Sequence, residues 1–206
     1  MWQTAARGLV ALAVMGMFSS CQRPWKLDAQ DIDVRHTLPK LHLQLTEAET
    51  GKVVTAAQFR GKVVMLYFGY TNCPNVCPLT LYEVAQIFRS LGKSADDVRF
   101  LFVTVDPDRD RRAILRNYVA LFGAPEILGL RGDAAQLQAV AGLYHAAYAV
   151  HPSPDPAKYS VTHSAEVYVF NREGKAEFII AGLSSQKPDL RGITRDLRHL
   201  IGHDSV

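Results

Sequence analysis

Cys73 and Cys77 stand four positions apart, with Pro74, Asn75 and Val76 between them, in a chain of 206 residues whose remaining cysteine is Cys21. Two thiols at that spacing can do one of two things. As thiolates they are ligands for a soft metal, Cu(I), zinc or an iron–sulfur cluster. As a redox pair they can open and close a disulfide, provided the α-carbons come within roughly 7 Å. A metal would need a further donor, and the chain offers His36, His42, His145, His151, His163, His199 and His203. Spacing alone leaves both chemistries open.

The elements that must position these residues are legible from the apolar pattern. Val63–Tyr67 is an almost unbroken apolar, β-rich run, as expected of a strand covered on both faces, and it leads directly into the cysteine stretch. After Pro78 the positions Leu81, Val84, Ala85, Ile87, Phe88 and Leu91 recur at helical spacing, with Gly92 placed to end the helix. Pro78 suits a first helical position, because its missing N–H would have no partner there. That sets Cys77 near the cap, where unpaired N–H groups and the positive end of the helix dipole favour thiolates.

A second central strand is expected over Val98–Val105, followed by Asp106-Pro107-Asp108-Arg109-Asp110, whose acidic residues could cap a helix running through Leu115 and Val119 to Gly123. A short apolar piece, Ile127–Leu130, precedes a helix opened by Asp133. The proline-rich stretch His151–Tyr159 reads as a loop long enough to cover a site. Ala165–Phe170 and Lys175–Ala181 read as a hairpin around Asn171–Gly174, and a last helix carries Leu190, Ile193, Leu197, Leu200 and Ile201. Upstream, Leu41, Leu43 and Leu45 alternate with His42 and Gln44 as in a half-buried strand, and Val53-Val54 begins another.

Strand, cysteine loop, helix, strand, helix, then hairpin and helix is the plan of a thioredoxin-like domain. The expected class is α/β, with a central mixed β-sheet flanked by helices and extra N-terminal strands. In that plan the loop before the hairpin lies across from the cysteine loop, and His163 is the histidine there. Thioredoxins keep a cis-proline in that loop and two residues between their cysteines. A histidine for the proline, and three residues for two, both favour a metal over disulfide exchange.

Three motifs in order carry a family resemblance. Gly61–Pro78, which contains Gly69-Tyr70-Thr71-Asn72-Cys73-Pro74-Asn75-Val76-Cys77-Pro78, is similar to the signature of the Sco/SenC family, and Val103–Asp110 and Tyr159–Ser164 match its two other signatures. The resemblance implies a membrane-tethered copper protein that helps assemble the dinuclear copper centre of cytochrome c oxidase subunit II. It implies Cys73, Cys77 and His163 as copper ligands, for Cu(I) and as a further state Cu(II). The upstream copper donor or thiol reductant is not legible. Asn72 and Asn75 stand where the family often has His and Asp, and Thr162 where it often has Asp before the ligand histidine, so fewer carboxylates lie near the site; Asp106 is the family-like acidic residue nearest it, with a strand-end or capping role as its alternative. The alternative is a thiol–disulfide oxidoreductase that reduces the acceptor's cysteines, with Cys73 and Cys77 as its disulfide. A peroxidase is disfavoured, since the proline and threonine that activate a peroxidatic cysteine are not in register before Cys73.

The N-terminus reads as a sorting signal. Arg7 precedes an apolar run from Gly8 to Phe18, and Ser19-Ser20-Cys21 resembles a lipobox in which Cys21 is lipidated. The run is about half the roughly 20 residues that cross a bilayer. A plain secretory signal or a short uncleaved anchor is the alternative. The expected organisation is residues 1–21 as signal, 22–40 as tether and 41–206 as the copper-binding domain, held on a bacterial envelope membrane and facing the periplasm. The net charge is only +3, and no basic run interleaved with aromatics appears, which excludes a nucleic-acid surface.

Overall fold

A computed structural model of the chain describes residues 25–27, 31–155 and 158–202. Cys21, the expected signal and His203 lie outside these. The described chain forms an eight-stranded mixed sheet in the order β1-β10-β9-β4-β5-β6-β2-β3, and a separate two-stranded ribbon of β7 and β8. The strands are β1 (Asp31–Asp33), β2 (Gln44–Glu47), β3 (Val53–Thr55), β4 (Val63–Gly69), β5 (Val98–Thr104), β6 (Ile127–Arg131), β7 (Tyr148–His151), β8 (Ser160–His163), β9 (Val167–Phe170) and β10 (Ala176–Ile180). Four helices flank them: α1 (Val76–Leu91), α2 (Arg112–Ala120), α3 (Ala134–Leu143) and α4 (Leu190–Gly202). This is the expected α/β, thioredoxin-like plan with strands added at its N-terminal side.

The centre of the sheet follows from the apolar runs. Every residue of β4 is buried, and β4 pairs in parallel with β5, from Val63 opposite Val98 to Gly69 opposite Thr104. A parallel pair needs a crossover, and α1 supplies it. On its other side β4 pairs antiparallel with β9, Tyr67 lying opposite Val167. Gly69 and Thr104 therefore end two neighbouring strands at one edge, and the N-terminal end of β9 meets them there. In open α/β sheets such a strand end is where ligands bind, because the loops leaving it converge.

Several local expectations change. Helix α1 begins at Val76 with Asn75 as its N-cap, so Cys77 is the second helical residue and Pro78 the third. The physical reason stands, since none of the first N–H groups of a helix has an intrahelical acceptor, so proline costs no bond there. The acidic residues of 106–110 do not cap α2, whose N-cap is Arg111 without a side-chain bond. Both buried carboxylates of that turn are engaged with the site instead. Asp133 does cap α3, accepting from the Gln136 N–H in a capping box. The lead-in expected over 22–40 enters the sheet at Asp31–Asp33, which pairs with β10. Leu41 and Leu43 are buried as their alternation requires, but the strand itself starts at Gln44.

Candidate metal centre

β4 delivers the cysteine loop to the end of the sheet, and α1 turns it back. Gly69 is required by close approach, since a Cβ there would sit 2.8 Å from Cys77 Sγ and 2.8 Å from the Phe102 ring. Cys77 is fully buried, whereas Cys73, in the loop above, is partly exposed. Both are free thiols. The Cys77 backbone N–H donates to Cys73 Sγ at 3.5 Å, and Tyr67 Oη lies 3.6 Å from Cys77 Sγ. The helix start thus favours a thiolate through its own amides.

β8 brings the third group. His163 Nε2 lies 3.3 Å from Cys77 Sγ and 3.8 Å from Cys73 Sγ, and the three ligand atoms all fall within 4.8 Å of one another. Its Nδ1 is 2.8 Å from the Ser164 carbonyl oxygen. A carbonyl only accepts, so that contact places the proton on Nδ1 and leaves the Nε2 lone pair facing the thiols. The rings of Tyr67 and Tyr70 meet the imidazole edge to face, with centroids at 5.9 and 5.7 Å. Among the described residues this is the one cluster of three His, Cys, Asp or Glu side chains suited to a metal.

The electrostatics divide the two thiols. Donation from Cys77 holds Cys73 down to about 3, against the cost of burial and with help from His163. Burial, and then the bond to Cys73, push Cys77 well up. Burial opposes protonation of His163, but its contacts with Cys73 and the Ser164 carbonyl outweigh it and raise its pKa. The resting pair is one thiolate and one thiol sharing a proton. Two sulfurs and an imidazole nitrogen, with no carboxylate among them, are a donor set suited to Cu(I) and distinct from the oxygen sets of Mg²⁺ or Ca²⁺.

The turn after β5 clasps both halves of this site. Asp110, fully buried, accepts from the Thr71 N–H at 2.9 Å, from Thr71 Oγ1 at 2.5 Å and from Thr104 Oγ1 at 2.5 Å, tying the cysteine loop to β5. Asp106 accepts from Arg109 Nε at 2.5 Å and from the Tyr159 hydroxyl, while Arg109 Nη1 donates to the Tyr159 carbonyl at 2.9 Å. Tyr159 immediately precedes β8. Reading Asp110 as a helix cap conceals its role, since its partner Thr71 lies 39 residues away, whereas Asp106 stands at the site as the resemblance implies. Of the other histidines, His199 stacks on Trp25 at 4.2 Å and His151 contacts Thr162 Oγ1 at 3.0 Å.

The model of the SCO1/SenC family matches residues 42–201, which include the cysteine loop, the 106–110 turn and His163. The chain belongs to the SCO1/SenC family. Among its Sco relatives is the mitochondrial SCO2 homolog of Bos taurus, 40% identical over 126 residues, or 60% of this chain and 47% of that protein. The chain spans about half the length of the mitochondrial SCO2 relatives it matches. The structure of Bradyrhizobium japonicum ScoI with copper bound is similar at a TM-score of 0.69 and 34% identity, covering 78% of this chain and 98% of that one. BsSco, described as a member of the Sco family of cytochrome c oxidase assembly proteins and as having a disulfide switch, shares the fold at a TM-score of 0.61 and 18% identity, over 85% of this chain and 97% of its own.

Proposed function

We propose that this protein binds copper through Cys73 Sγ, Cys77 Sγ and His163 Nε2 and delivers it to the dinuclear copper centre of cytochrome c oxidase subunit II. The observation that carries the reading is the convergence of three soft or borderline donor atoms within 4.8 Å at one end of the sheet. The copper-bound ScoI relative and the oxidase-assembly role attached to the Sco family support it. Cu(I) entering the resting pair displaces the Cys77 proton to solvent and leaves a two-thiolate, one-imidazole complex. Delivery is then ligand exchange, in which acceptor thiolates replace Cys73, Cys77 and His163 with no change in copper oxidation state. Three ligands with Cys73 partly exposed leave a direction of approach, which a closed four-ligand site would deny. Cu(II) is the second state the same donors would hold.

Reduced protein should take up about one equivalent of Cu(I), and His163→Ala should weaken it. Failure of either result removes the copper reading. A second reading, a thiol–disulfide oxidoreductase acting on the acceptor cysteines, has its own support in the thiolate at Cys73 beside the Cys77 thiol. It needs both cysteines and not His163. If Cys73→Ser and Cys77→Ser abolish oxidase assembly in cells while His163→Ala leaves it intact, redox chemistry replaces metal delivery. In the same proposal Cys21 carries a lipid, the start of the expected 22–40 tether links the body to an envelope membrane, and the site faces the periplasm.

A further inference from the structure

The two halves of the site belong to different parts of the fold. Cys73 and Cys77 sit where β4, at the centre of the eight-stranded sheet, passes into α1. His163 ends β8, which pairs only with β7 in a ribbon outside that sheet. Nothing in the pairing of β7 with β8 sets the distance from His163 to the thiols. The short link through 164–166 into β9 anchors one side of it, and contacts between the ribbon and the main body must set the rest.

Arg109 is placed to do this. Its guanidinium lies 3.7 Å from the centroid of the Tyr159 ring and 5.9 Å from that of Tyr70, whose own ring meets the His163 imidazole. Nη1 donates to the Tyr159 carbonyl, Nε donates to the buried Asp106, and the Tyr159 hydroxyl donates to the same carboxylate. Its remaining terminal nitrogen, Nη2, is buried without a hydrogen-bond partner. The guanidinium is therefore held by its place over the Tyr159 ring together with two of its donors. The chain from β5 to the imidazole is therefore continuous: Asp106, Arg109, Tyr159, then β8 and His163, with Tyr70 closing the circle from the cysteine loop.

We propose that Arg109, acting through Tyr159, is the positioning residue that latches the His163 ribbon to the cysteine loop, so that the third ligand is held at the thiols. The inference deepens the copper reading and rests on it for its affinity arm. Loss of the latch lets His163 move away and leaves a two-thiolate site. Partners that orient a metal-binding histidine from outside the ligand set typically change metal affinity about 10- to 100-fold.

The test is a double-mutant cycle on Cu(I) affinity, measured by competition with bicinchoninate on the reduced protein. Arg109→Gln should weaken Cu(I) binding about 10- to 100-fold, whereas the same change made on His163→Ala should alter it less than about two-fold, because its effect passes through His163. Tyr159→Phe, which keeps the ring under the guanidinium, should stay within about three-fold of wild type, and Tyr159→Ala should match Arg109→Gln. An equal loss in both backgrounds, or none in either, overturns the proposal. A metal-free arm separates its failure from failure of the copper reading. In the apo protein the His163 ring protons should carry the shift imposed by Tyr67 and Tyr70, and Arg109→Gln and Tyr159→Ala should abolish it while the β4 amides keep their exchange protection. Unchanged His163 signals in both variants would also overturn the latch, whether or not copper binds.

Discussion

The Nδ1–H of His163 is given to the Ser164 carbonyl at 2.8 Å, and this one bond commits Nε2 to the two sulfurs. Replacing the ring removes a donor that no neighbour in the described cluster can supply. His163→Ala should therefore lower Cu(I) affinity by at least about 100-fold. It should also remove the thiolate-to-Cu(II) charge-transfer bands of the copper-loaded protein, while the two thiols still titrate with a disulfide reagent. Competition titration and absorption spectroscopy read both effects.

Cys73 and Cys77 should differ in their response to pH. With Cys73 held down to about 3 by donation from Cys77, its native form is the thiolate across the neutral range. Its alkylation by iodoacetamide should be nearly flat from pH 8 to about 5 and fall only as the pH approaches 3, whereas in denaturant the same residue should follow the ordinary thiol value of about 8.5. A native value below the unfolded one means that Cys73 contributes stability fully present above about 8.5 and lost as the pH falls through the native value. Cys77, pushed up by burial, should stay unmodified until Cys73 has reacted or the fold opens.

Asp110 satisfies the Thr71 N–H and the hydroxyls of Thr71 and Thr104 from a fully buried position. Asp110→Ala strands those donors away from water, at a cost of about 3 kcal/mol. Thermal unfolding should show this as a Tm lower by roughly 10 °C. Hydrogen exchange should speed first at the Thr71 amide, since burial already raises the Asp110 pKa and these bonds are what hold its carboxylate in place.

Gly69→Ala tests the closeness of the strand end to the site. Its new Cβ would press on Cys77 Sγ and the Phe102 ring at 2.8 Å and on the Tyr67 ring at 2.9 Å. Overpacking of this kind costs about 1–3 kcal/mol. Because Cys77 must move to relieve it, Cu(I) affinity should fall together with Tm. A variant that loses stability but keeps wild-type affinity would show that the sulfur had not shifted.

The pattern of the chain made the sheet centre and the ligand set legible for different reasons. Val63–Gly69 and, apart from Arg99 and Thr104, Val98–Thr104 are so apolar that they read as doubly covered strands, and both are central strands. His163 could be singled out because the order of elements places the segment before the hairpin opposite the cysteine loop. The ribbon of β7 and β8 was not legible. Tyr148 and Val150 alternate with small or polar residues over only four positions, and Pro152 and Pro154 made the following stretch read as loop. The role of Asp110 is hidden for a related reason. An acidic residue near a helix start has a local use, and nothing in its neighbours reveals that Thr71, far along the chain, claims it instead.

Cys73 and His163 are 90 residues apart in sequence, and the ribbon, the strand end and the turn after β5 must all be in place before they meet. In the unfolded chain the cysteines are merely a nearby dithiol, and the imidazole is a dilute, independent group. Binding by the full ligand set is thus a property of the folded chain, and an ion held there adds to the native state only the free energy by which three ligands exceed the bare dithiol. A chain not yet folded would offer an ion the two thiols without the imidazole, so a three-ligand signature would report that the fold is complete.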